Sequence, residues 1–368
     1  MHLPLASEPK SLCILRLSAV GDICHTLPVV RTIQDHWPNT KITWVIGKLE
    51  STLVDDVPGV EFVVLDKSRG WRAYRDLSTE MRGRSFDALL HMQVSLRSSV
   101  ASRLIPTTIR LGFDRDRAKD FQWLFTTHRI EPKGYQHVME GLFGFAQALG
   151  IQEPALRWDI PIPDEAREFA ARHVRPDRST LVISPCSTSR YRNWRNWSAE
   201  GYAAVADYAV EKHDMRVILT GSNTDIEKRY GDEICRLTRH PPTHLIGQTG
   251  LKELLAILDG AQVLVAPDSG PVHMATTVGT PVIGLYVTSN PMRTGPYLSQ
   301  QWVVNKYPEA LEVELGKTVD EVPWGRRVRN PDAVDRVRVG DVTQKLDELI
   351  ALLVKQGSIE STTSFVSS

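Results

Sequence analysis

The sequence is poor in cysteine and has no net charge. Only four of its 368 residues are cysteines, and they are too widely spaced for a CxxC or Cys/His metal motif: Cys13, Cys24, Cys186 and Cys235. This arrangement excludes a zinc-finger pattern and is typical of reduced thiols in a cytosolic protein. Lysine plus arginine and aspartate plus glutamate both total 44. No global positive charge therefore favours a nucleic-acid partner, and any basic site must be local.

Long hydrophobic segments are also missing. No run reaches the roughly 18 consecutive apolar residues that a transmembrane helix needs. The N-terminal stretch has no charged start before an apolar core of signal-peptide length, and its apolar run stops at Leu17. We therefore expect a cytoplasmic protein that contacts a membrane only at its surface. A GxGxxG fingerprint is absent too, which disfavours a hydride-transferring enzyme.

Short apolar runs of strand length alternate with segments of helical periodicity along the chain. This pattern is typical of βα units around parallel sheets and predicts an α/β protein. The length suits two domains, each with its own core. Five strands are predicted in each half, over residues 12–17, 42–46, 62–65, 88–91, 108–111, 180–184, 216–220, 243–246, 263–266 and 281–285.

A domain boundary is predicted near residues 155–180, where Pro161 and Pro163 precede a charged helical run. Two doubly wound sheets in tandem bind ligands at the carboxyl ends of their strands, so we expect a two-substrate site between the domains. The polar C-terminal tail is expected to be disordered. The predicted parts are an N-terminal domain (residues 1–165), a C-terminal domain (175–345), a terminal helix (342–355) and the tail (356–368).

The segment LRLSAVGDICHTLP, residues 15–28, runs from a strand through a small-residue turn into a helix. Ser18, Ala19 and Gly21 let the backbone approach a ligand closely. Asp22 stands where a catalytic carboxylate can face the ligand edge of the sheet, which makes it a candidate general base. The alternative is that Asp22 only caps the helix that follows.

The segment ISPCSTSRYRNWRNWSAEGY, residues 183–202, places Arg190, Arg192 and Arg195 in a loop rich in hydroxyl groups before a helix. Guanidinium groups, hydroxyls and free N–H groups at a helix N-terminus are what a diphosphate requires. We interpret the loop as a candidate site for a nucleotide-sugar diphosphate. The alternative is a solvated loop in which Ser198 is an ordinary N-cap.

The segment VAPDSGPVHMATTVGTPVIGLY, residues 265–286, is the strongest local signal. Asp268, Ser269 and Gly270 form a tight turn whose free N–H groups begin a helix, so a phosphate can bind there with His273 one turn along. Taken alone, His273 is more often a structural histidine than a ligand.

Asp225 and Glu227 follow another predicted strand at the start of a helix. A carboxylate at this place can accept hydrogen bonds from ribose or sugar hydroxyls, as acidic residues do in dinucleotide folds. The default interpretation is favourable negative charge in the first helical turn.

In this order and spacing, the segments resemble the family-nine glycosyltransferases, the ADP-heptose:lipopolysaccharide heptosyltransferases, over residues 11–300. SAVGDICHTLP is similar to the family's Gly-Asp and His-Thr-Leu-Pro signature, and PDSGPVHMA followed by GTPVIGLY resembles its donor motif. FDALLHMQVSLRSS, the GFDR at residues 112–115 and the QHVME at residues 136–140 resemble heptosyltransferase I more than its relatives.

The resemblance implies a GT-B arrangement of two Rossmann-like domains and an inverting transfer of heptose from ADP-heptose to a Kdo hydroxyl of Kdo-lipid A. No metal and no cofactor are expected. Asp22 matches the family's general base. The donor-binding residues that the resemblance implies are Ser187, Thr188, Arg195, Asp225, Thr249, Asp268, Ser269, Gly270 and His273.

One position departs from the family pattern, which has a lysine two residues before a Trp-Pro. Here the chain reads Arg195, Asn196, Trp197, Ser198, so Arg195 would replace the lysine, with Arg192 as its rival. Both types carry the charge, but a planar guanidinium differs in geometry from an ammonium. The segment PWGRRVRNP, residues 323–331, has no predicted role.

A cluster of cations in the first domain offers charge for Kdo carboxylates and lipid A phosphates. Each alone reads as a solvated surface charge, but the cluster beside Trp71 and Tyr74 indicates a surface that meets the inner leaflet of the membrane. A monomer is the default expectation. The predicted acceptor-binding residues are Ser18, Lys67, Arg69, Arg72, Arg97 and Arg115, with Arg75 nearby.

Two other interpretations stay open. One is transfer of a later heptose or of another sugar to a different glycan or protein. The other is a catalytically silent nucleotide-sugar-binding protein on the same fold, since a fold does not prove an activity.

Overall fold

The computed structural model describes residues 3–187 and 194–357. The chain divides into two compact units, Met1–Pro161 and Ile162–Ser368. Each unit contains a six-stranded sheet whose strands are all parallel. The predicted α/β class with two Rossmann-like, doubly wound sheets is confirmed. None of the described helices has the length and apolar character needed to cross a bilayer.

In the first unit the strands are ordered β3-β2-β1-β4-β5-β6. The order reverses between β1 and β4, which makes the carboxyl ends of these two strands the switch point at which open α/β sheets bind ligands. The strands are β1 (Ser11–Leu15), β2 (Lys41–Gly47), β3 (Val60–Leu65), β4 (Phe86–His91), β5 (Thr107–Gly112) and β6 (His128–Arg129), and the helices are α1 (Val20–His36), α2 (Lys48–Val54), α3 (Trp71–Glu80), α4 (Leu96–Ser102) and α5 (Val138–Leu149).

The second unit repeats this plan with the order β12-β11-β10-β7-β8-β9, which places its switch point between β7 and β10. The strands are β7 (Thr180–Ile183), β8 (Arg216–Leu219), β9 (Thr243–His244), β10 (Val263–Pro267), β11 (Val282–Tyr286) and β12 (Val304–Asn305). The helices are α6 (Asp164–Ala171), α7 (Ala199–His213), α8 (Asp225–Leu237), α9 (Leu251–Gly260), α10 (Gly270–Thr277), α11 (Pro291–Thr294), α12 (Tyr307–Leu315) and α13 (Val339–Lys355).

The central strands are buried on both faces, because helices cover each side of a doubly wound sheet. Every residue from Leu12 to Leu15 is fully buried, and so is every residue of β10 from Val263 to Ala266. Such strands read as continuous apolar runs rather than as alternating patterns, which is why the sequence located them. In the second unit, Leu346 and Leu349 place the apolar face of α13 in the core.

The ten predicted strands are present with small shifts at their ends, and two strands were missed. β6 and β12 have two residues each, too few for any periodicity to mark them. β9 ends at His244 rather than at residue 246, because the chain turns there although Ile246 stays buried. The terminal helix begins at Val339, before residue 342, because the N–H of Arg338 donates to Asp341 Oδ2 at 2.9 Å and caps an earlier turn.

Candidate active site

Asp22 lies in the first turn of α1, directly after β1 at the switch point of the first sheet. The backbone N–H of Ala19 donates to Asp22 Oδ2 at 3.0 Å, so the carboxylate does cap the helix. The same oxygen forms an ion pair with Arg16, whose Nη2 lies 2.6 Å away. The Asp22 side chain is still 38% exposed. Capping therefore uses one oxygen, and the carboxylate stays accessible to a substrate.

Arg16, which is not among the predicted site residues, is the buried ion-pair partner of Asp22. It follows β1 immediately and is only 8% exposed. Its Nη1 also donates to the carbonyl of Met92 after β4, and its own carbonyl accepts from Trp44 Nε1 at 3.1 Å. A single cation at the end of the apolar run LCILRL was the only sequence signal for this role.

Gln93 fixes the loop between β1 and α1. Its Oε1 accepts from the N–H groups of Leu17 at 2.9 Å and Ser18 at 3.2 Å. Gln122 in turn donates to the carbonyl of Gln93 at 3.2 Å. Ser18, a predicted acceptor-binding residue, is thus half-buried in a loop held by the end of β4, next to the turn that carries Asp22.

Lys67 reaches the same loop from the end of β3. Its Nζ donates to the carbonyl of Leu17 at 3.5 Å. Burial lowers the pKa of Lys67, the carboxylate of Glu50 opposes this, and the charge of Arg97 adds to the lowering. The structure thus brings Lys67 and Ser18 to one loop and Arg97 within electrostatic range of Lys67.

The other predicted acceptor cations are exposed and more dispersed. Arg69 forms an ion pair with Asp76 at 2.7 Å, so part of its charge is already neutralised. Arg72 and Arg115 are exposed and lie after β3 and β5, respectively. Trp71 is 82% exposed and lies on the same helix as Arg72. These residues form a basic surface with an exposed indole rather than a closed pocket.

Asp268 is the centre of the candidate site in the second unit. It follows β10 at the switch point of the second sheet and is buried. Its Oδ2 accepts a 2.6 Å hydrogen bond from Ser289 Oγ. Arg195 Nη1 donates to the Asp268 carbonyl at 2.9 Å and lies 3.6 Å from Oδ2. Arg195, the predicted cation of the donor loop, thus contacts Asp268, and its rival Arg192 lies outside the described residues.

Ser269 and Gly270 begin α10, as the sequence predicted. Ser269 is the N-cap in extended conformation, and its side chain makes no capping hydrogen bond. Its Oγ is buried and has no hydrogen-bond partner among the described residues. A buried, unsatisfied hydroxyl beside the free N–H groups of a helix N-terminus suits an anionic ligand group. His273, also predicted, is buried one turn further along.

The loop after β7 is described only in part. The N–H of Ser187 donates to Asn196 Oδ1 at 2.9 Å, which folds the two ends of the loop together. Thr188 lies outside the described residues. Ser198 accepts from the N–H of Gly201 at 3.1 Å and is therefore the N-cap of α7. The capping alternative holds for Ser198, while Arg195 in the same loop points to Asp268.

The two acidic residues at the start of α8 differ in environment. Glu227 is buried and accepts from both the N–H and the Oγ of Ser222, at 2.7 and 2.5 Å, so it is a structural carboxylate. Asp225 is exposed at the first helical position. Thr249 is half-buried just before α9. Asp225 and Thr249 follow β8 and β9, at the same edge of the sheet as Asp268.

The segment 323–331 lies beside this site, which sequence reasoning did not foresee. The N–H of Val328 donates to the carbonyl of Thr288 at 3.0 Å, next to Ser289. A small cavity borders the segment, and it is lined by Ser289, Asn290, Arg293, Thr294, Trp324, Gly325, Arg326 and Arg327. The segment therefore adds an indole and cationic side chains next to the loop that holds Asp268.

Within residues 3–187 and 194–357, no group of three or more His, Cys, Asp or Glu side chains is arranged to hold a metal ion.

Comparison with known proteins identifies the class. Residues 74–322 match glycosyltransferase family 9 (heptosyltransferase). The lipopolysaccharide core heptosyltransferase OpsX of Haemophilus influenzae is 38% identical over 348 residues, which cover 94% of this chain and 99% of that protein. The predicted resemblance is thus confirmed.

Solved structures support the fold. A glycosyl transferase of family 9 from Veillonella parvula aligns with a TM-score of 0.75 at 20% identity, over 93% of this chain and 97% of the other. The E. coli heptosyltransferase WaaC, solved with ADP, aligns with a TM-score of 0.71 at 19% identity, over 92% and 99%. The fold is that of the GT-B glycosyltransferases. The chain belongs to glycosyltransferase family 9.

Proposed function

We propose that this protein transfers heptose from ADP-heptose to a Kdo residue of the lipopolysaccharide inner core, as heptosyltransferase I does. The name of the H. influenzae relative and the ADP bound to WaaC support the acceptor class and the donor. The observation that carries the proposal is that each sheet presents its motif at its switch point: Asp22 after β1, and Asp268 with Ser269 after β10.

Asp22 acts as the general base in this proposal. The acceptor hydroxyl loses its proton to the Asp22 carboxylate while its oxygen forms a bond to the anomeric carbon of heptose. The bond between that carbon and the diphosphate oxygen breaks on the opposite face, and ADP leaves with the electron pair. A single displacement of this kind inverts the anomeric configuration.

The donor side stabilises the departing diphosphate without a metal ion in this proposal. Arg195 supplies a guanidinium, and the N-terminus of α10 supplies N–H groups together with the unsatisfied hydroxyl of Ser269. Such preorganised donors act where negative charge develops. Gly270 keeps the first turn open to the phosphate, and His273 lies one turn along. Ser187, Thr188, Asp225 and Thr249 are proposed to complete the contacts with ADP-heptose.

The acceptor side uses the cations of the first unit. Lys67 and Arg97 are proposed to bind Kdo carboxylates near Ser18, while Arg69, Arg72 and Arg115 attract lipid A phosphates. The exposed Trp71 beside Arg72 supports a peripheral contact with the cytoplasmic face of the inner membrane. We further propose that the protein is cytoplasmic and acts as a monomer without a cofactor.

The test is ADP release from ADP-heptose by the purified protein, with and without Kdo-lipid A that lacks its acyl chains. We expect release only when the acceptor is present, and an anomeric configuration opposite to that of the donor by NMR. Asp22→Asn should lower turnover by roughly 1,000-fold, to a small but measurable residual rate, while ADP-heptose still binds, as measured by calorimetry.

Other outcomes separate the alternatives. Release with a core that already carries one heptose, but not with Kdo-lipid A, would assign a later heptose. Turnover with other sugar nucleotides or with a protein acceptor would assign a different transfer. Binding of ADP-heptose that is never followed by turnover would favour the catalytically silent binding protein.

A further inference from the structure

We propose that Arg16 is a positioning residue that holds the Asp22 carboxylate by Oδ2 and thereby leaves Oδ1 as the oxygen that accepts the substrate proton. This inference rests on the proposed role of Asp22 as general base and assigns the geometry of that role. It follows from the contacts of the two carboxylate oxygens.

The two oxygens of Asp22 have different surroundings. Oδ2 receives both the Arg16 guanidinium, at 2.6 Å, and the N–H of Ala19, at 3.0 Å. No residue that the structure describes donates a hydrogen bond to Oδ1. The side chain is 38% exposed, so Oδ1 is open to a ligand. The two donors come from the end of β1 and from the N-cap of α1, so two separate elements hold Oδ2 in place. Oδ1 is left for the acceptor hydroxyl.

Arg16 is itself held rigidly. Its Nη1 donates to the carbonyl of Met92 at the end of β4, the neighbouring strand at the switch point. The backbone N–H of Arg16 donates to the carbonyl of Val45 at 3.2 Å in β2. Arg16 therefore connects Asp22 to the neighbouring strands, through its guanidinium to the end of β4 and through its backbone to β1 and β2. A carboxylate held in this way needs little reorganisation when the proton is transferred.

The burial of Arg16 is hard to explain by stability alone. The residue is 8% exposed, and its Nε is buried with no hydrogen-bond partner among the described residues. A buried guanidinium with an unsatisfied N–H is costly, and an apolar side chain of similar length is often no less stable at such a site. The ion pair with Asp22 is the contact that gives this charge a function.

The other charged groups near Asp22 do not replace Arg16. Lys67 donates to the carbonyl of Leu17 and not to the carboxylate. Cys24, on the same helix, carries no charge that could replace Arg16, because burial raises the pKa of its thiol and the carboxylate of Asp22 raises it further. Among the described residues, Arg16 is the one cation in ion-pair contact with Asp22.

The experiment is a double-mutant cycle with Arg16→Met and Asp22→Asn on the full-length protein. Arg16→Met should lower kcat on the order of 100-fold and leave the KM for ADP-heptose within about twofold, because a misplaced base slows the chemical step without removing donor contacts. In the Asp22→Asn background, Arg16→Met should change the residual rate by less than about threefold, because its partner is already lost. Arg16→Lys should recover part of kcat, since it keeps the charge but not the planar geometry.

A matched control separates positioning from folding. Among the residues that the structure describes, the guanidinium of Arg110 in β5 donates to the carbonyls of Ser102, Thr107 and Ile105 alone, at 3.0 to 3.3 Å. Arg110→Met should lower the melting temperature and leave kcat unchanged. If Arg16→Met does not fold, the double-mutant cycle with Asp22→Asn is measured with Arg16→Gln and Arg16→Lys instead.

The results distinguish the two proposals. A normal kcat in Arg16→Met would overturn the positioning role. So would a double variant whose loss of kcat equals the product of the two single losses. In either case, Asp22→Asn alone still tests whether Asp22 is the base. Full turnover in Asp22→Asn would overturn both. A large loss of kcat in Arg16→Met that vanishes in the Asp22→Asn background supports both.

Discussion

Arg195 and Asp268 are joined by two contacts in the second unit: Arg195 Nη1 donates to the Asp268 carbonyl at 2.9 Å and lies 3.6 Å from the carboxylate. The arginine follows β7 and the aspartate follows β10, the two strands at the switch point of the sheet. The pair therefore holds a guanidinium at the N-terminus of α10, where a diphosphate is expected to bind.

Replacement of Arg195 tests this arrangement. Arg195→Met should reduce kcat by roughly 100-fold to 1,000-fold, because it removes charge stabilisation of the leaving diphosphate. Arg195→Lys should recover only part of the rate, since an ammonium cannot reproduce the guanidinium contacts. Steady-state kinetics with saturating acceptor provide the measurement. Equal rates for the Lys and Met variants would contradict a role for the charge.

The hydrogen bond from Ser289 to Asp268 leads to a second prediction. Its length is 2.6 Å and both residues are buried, so Ser289→Ala removes a bond to a buried charged group, worth about 1.5 to 3 kcal/mol. We expect the ADP dissociation constant to rise by roughly tenfold or more if Asp268 orders the donor loop. Calorimetric titration with ADP gives the constant.

A second buried serine of the same unit is the control. Ser299 Oγ accepts from the N–H of Val282 at 3.2 Å and has no contact with Asp268. Ser299→Ala should lower stability and leave ADP affinity unchanged. Equal ADP affinities in Ser289→Ala and the wild type would show that Asp268 does not need this contact.

Sequence patterns marked candidate site residues that are adjacent in the chain, but they did not reveal contacts between residues that are distant in the chain. Asp268, Ser269, Gly270 and His273 belong to one strand-turn-helix segment, so local spacing was enough to mark them as candidates. The contact of Ser289 with Asp268 depends on how β11 packs beside β10, and no local pattern encodes it.

Burial was the second quantity that sequence patterns could not supply. Asp225 and Glu227 look alike as first-turn acids, but Glu227 is buried on Ser222 while Asp225 is exposed. Arg16 reads as an ordinary cation after a strand until its burial against Asp22 is seen. The central strands, in contrast, were found because burial on both faces leaves a continuous apolar run.

Lys67 gives a prediction that depends on pH. Burial lowers the pKa of its ammonium group, so the charge is lost at a lower pH than in an exposed lysine. The KM for the anionic acceptor should therefore rise as the pH increases through the alkaline range, where the protonated form disappears. Lys67→Arg should bind the acceptor with less pH dependence, because a guanidinium stays charged.

Loss of this charge should also be visible at neutral pH. Lys67→Met should raise the KM for deacylated Kdo-lipid A by roughly tenfold, with a weaker dependence on salt than the wild type. Lys10 is exposed just before β1, at the opposite edge of the sheet, and Lys10→Met removes the same charge as a control. Equal increases in both variants would indicate general electrostatic attraction instead of a contact at Lys67.

His91 provides a prediction on folding stability. It is fully buried at the end of β4, and burial lowers its pKa to about 3. The unfolded chain binds a proton at this residue below its ordinary pKa of about 6.5, whereas the folded protein does not until the pH approaches 3. Stability from this group is therefore complete above pH 6.5 and is lost as the pH falls towards 3, by about 2 kcal/mol at pH 5. The free energy of unfolding, measured with urea at pH 7.5 and pH 5, should show this loss in the wild type and a smaller loss in His91→Gln. The same loss in the two proteins would mean that other groups cause it.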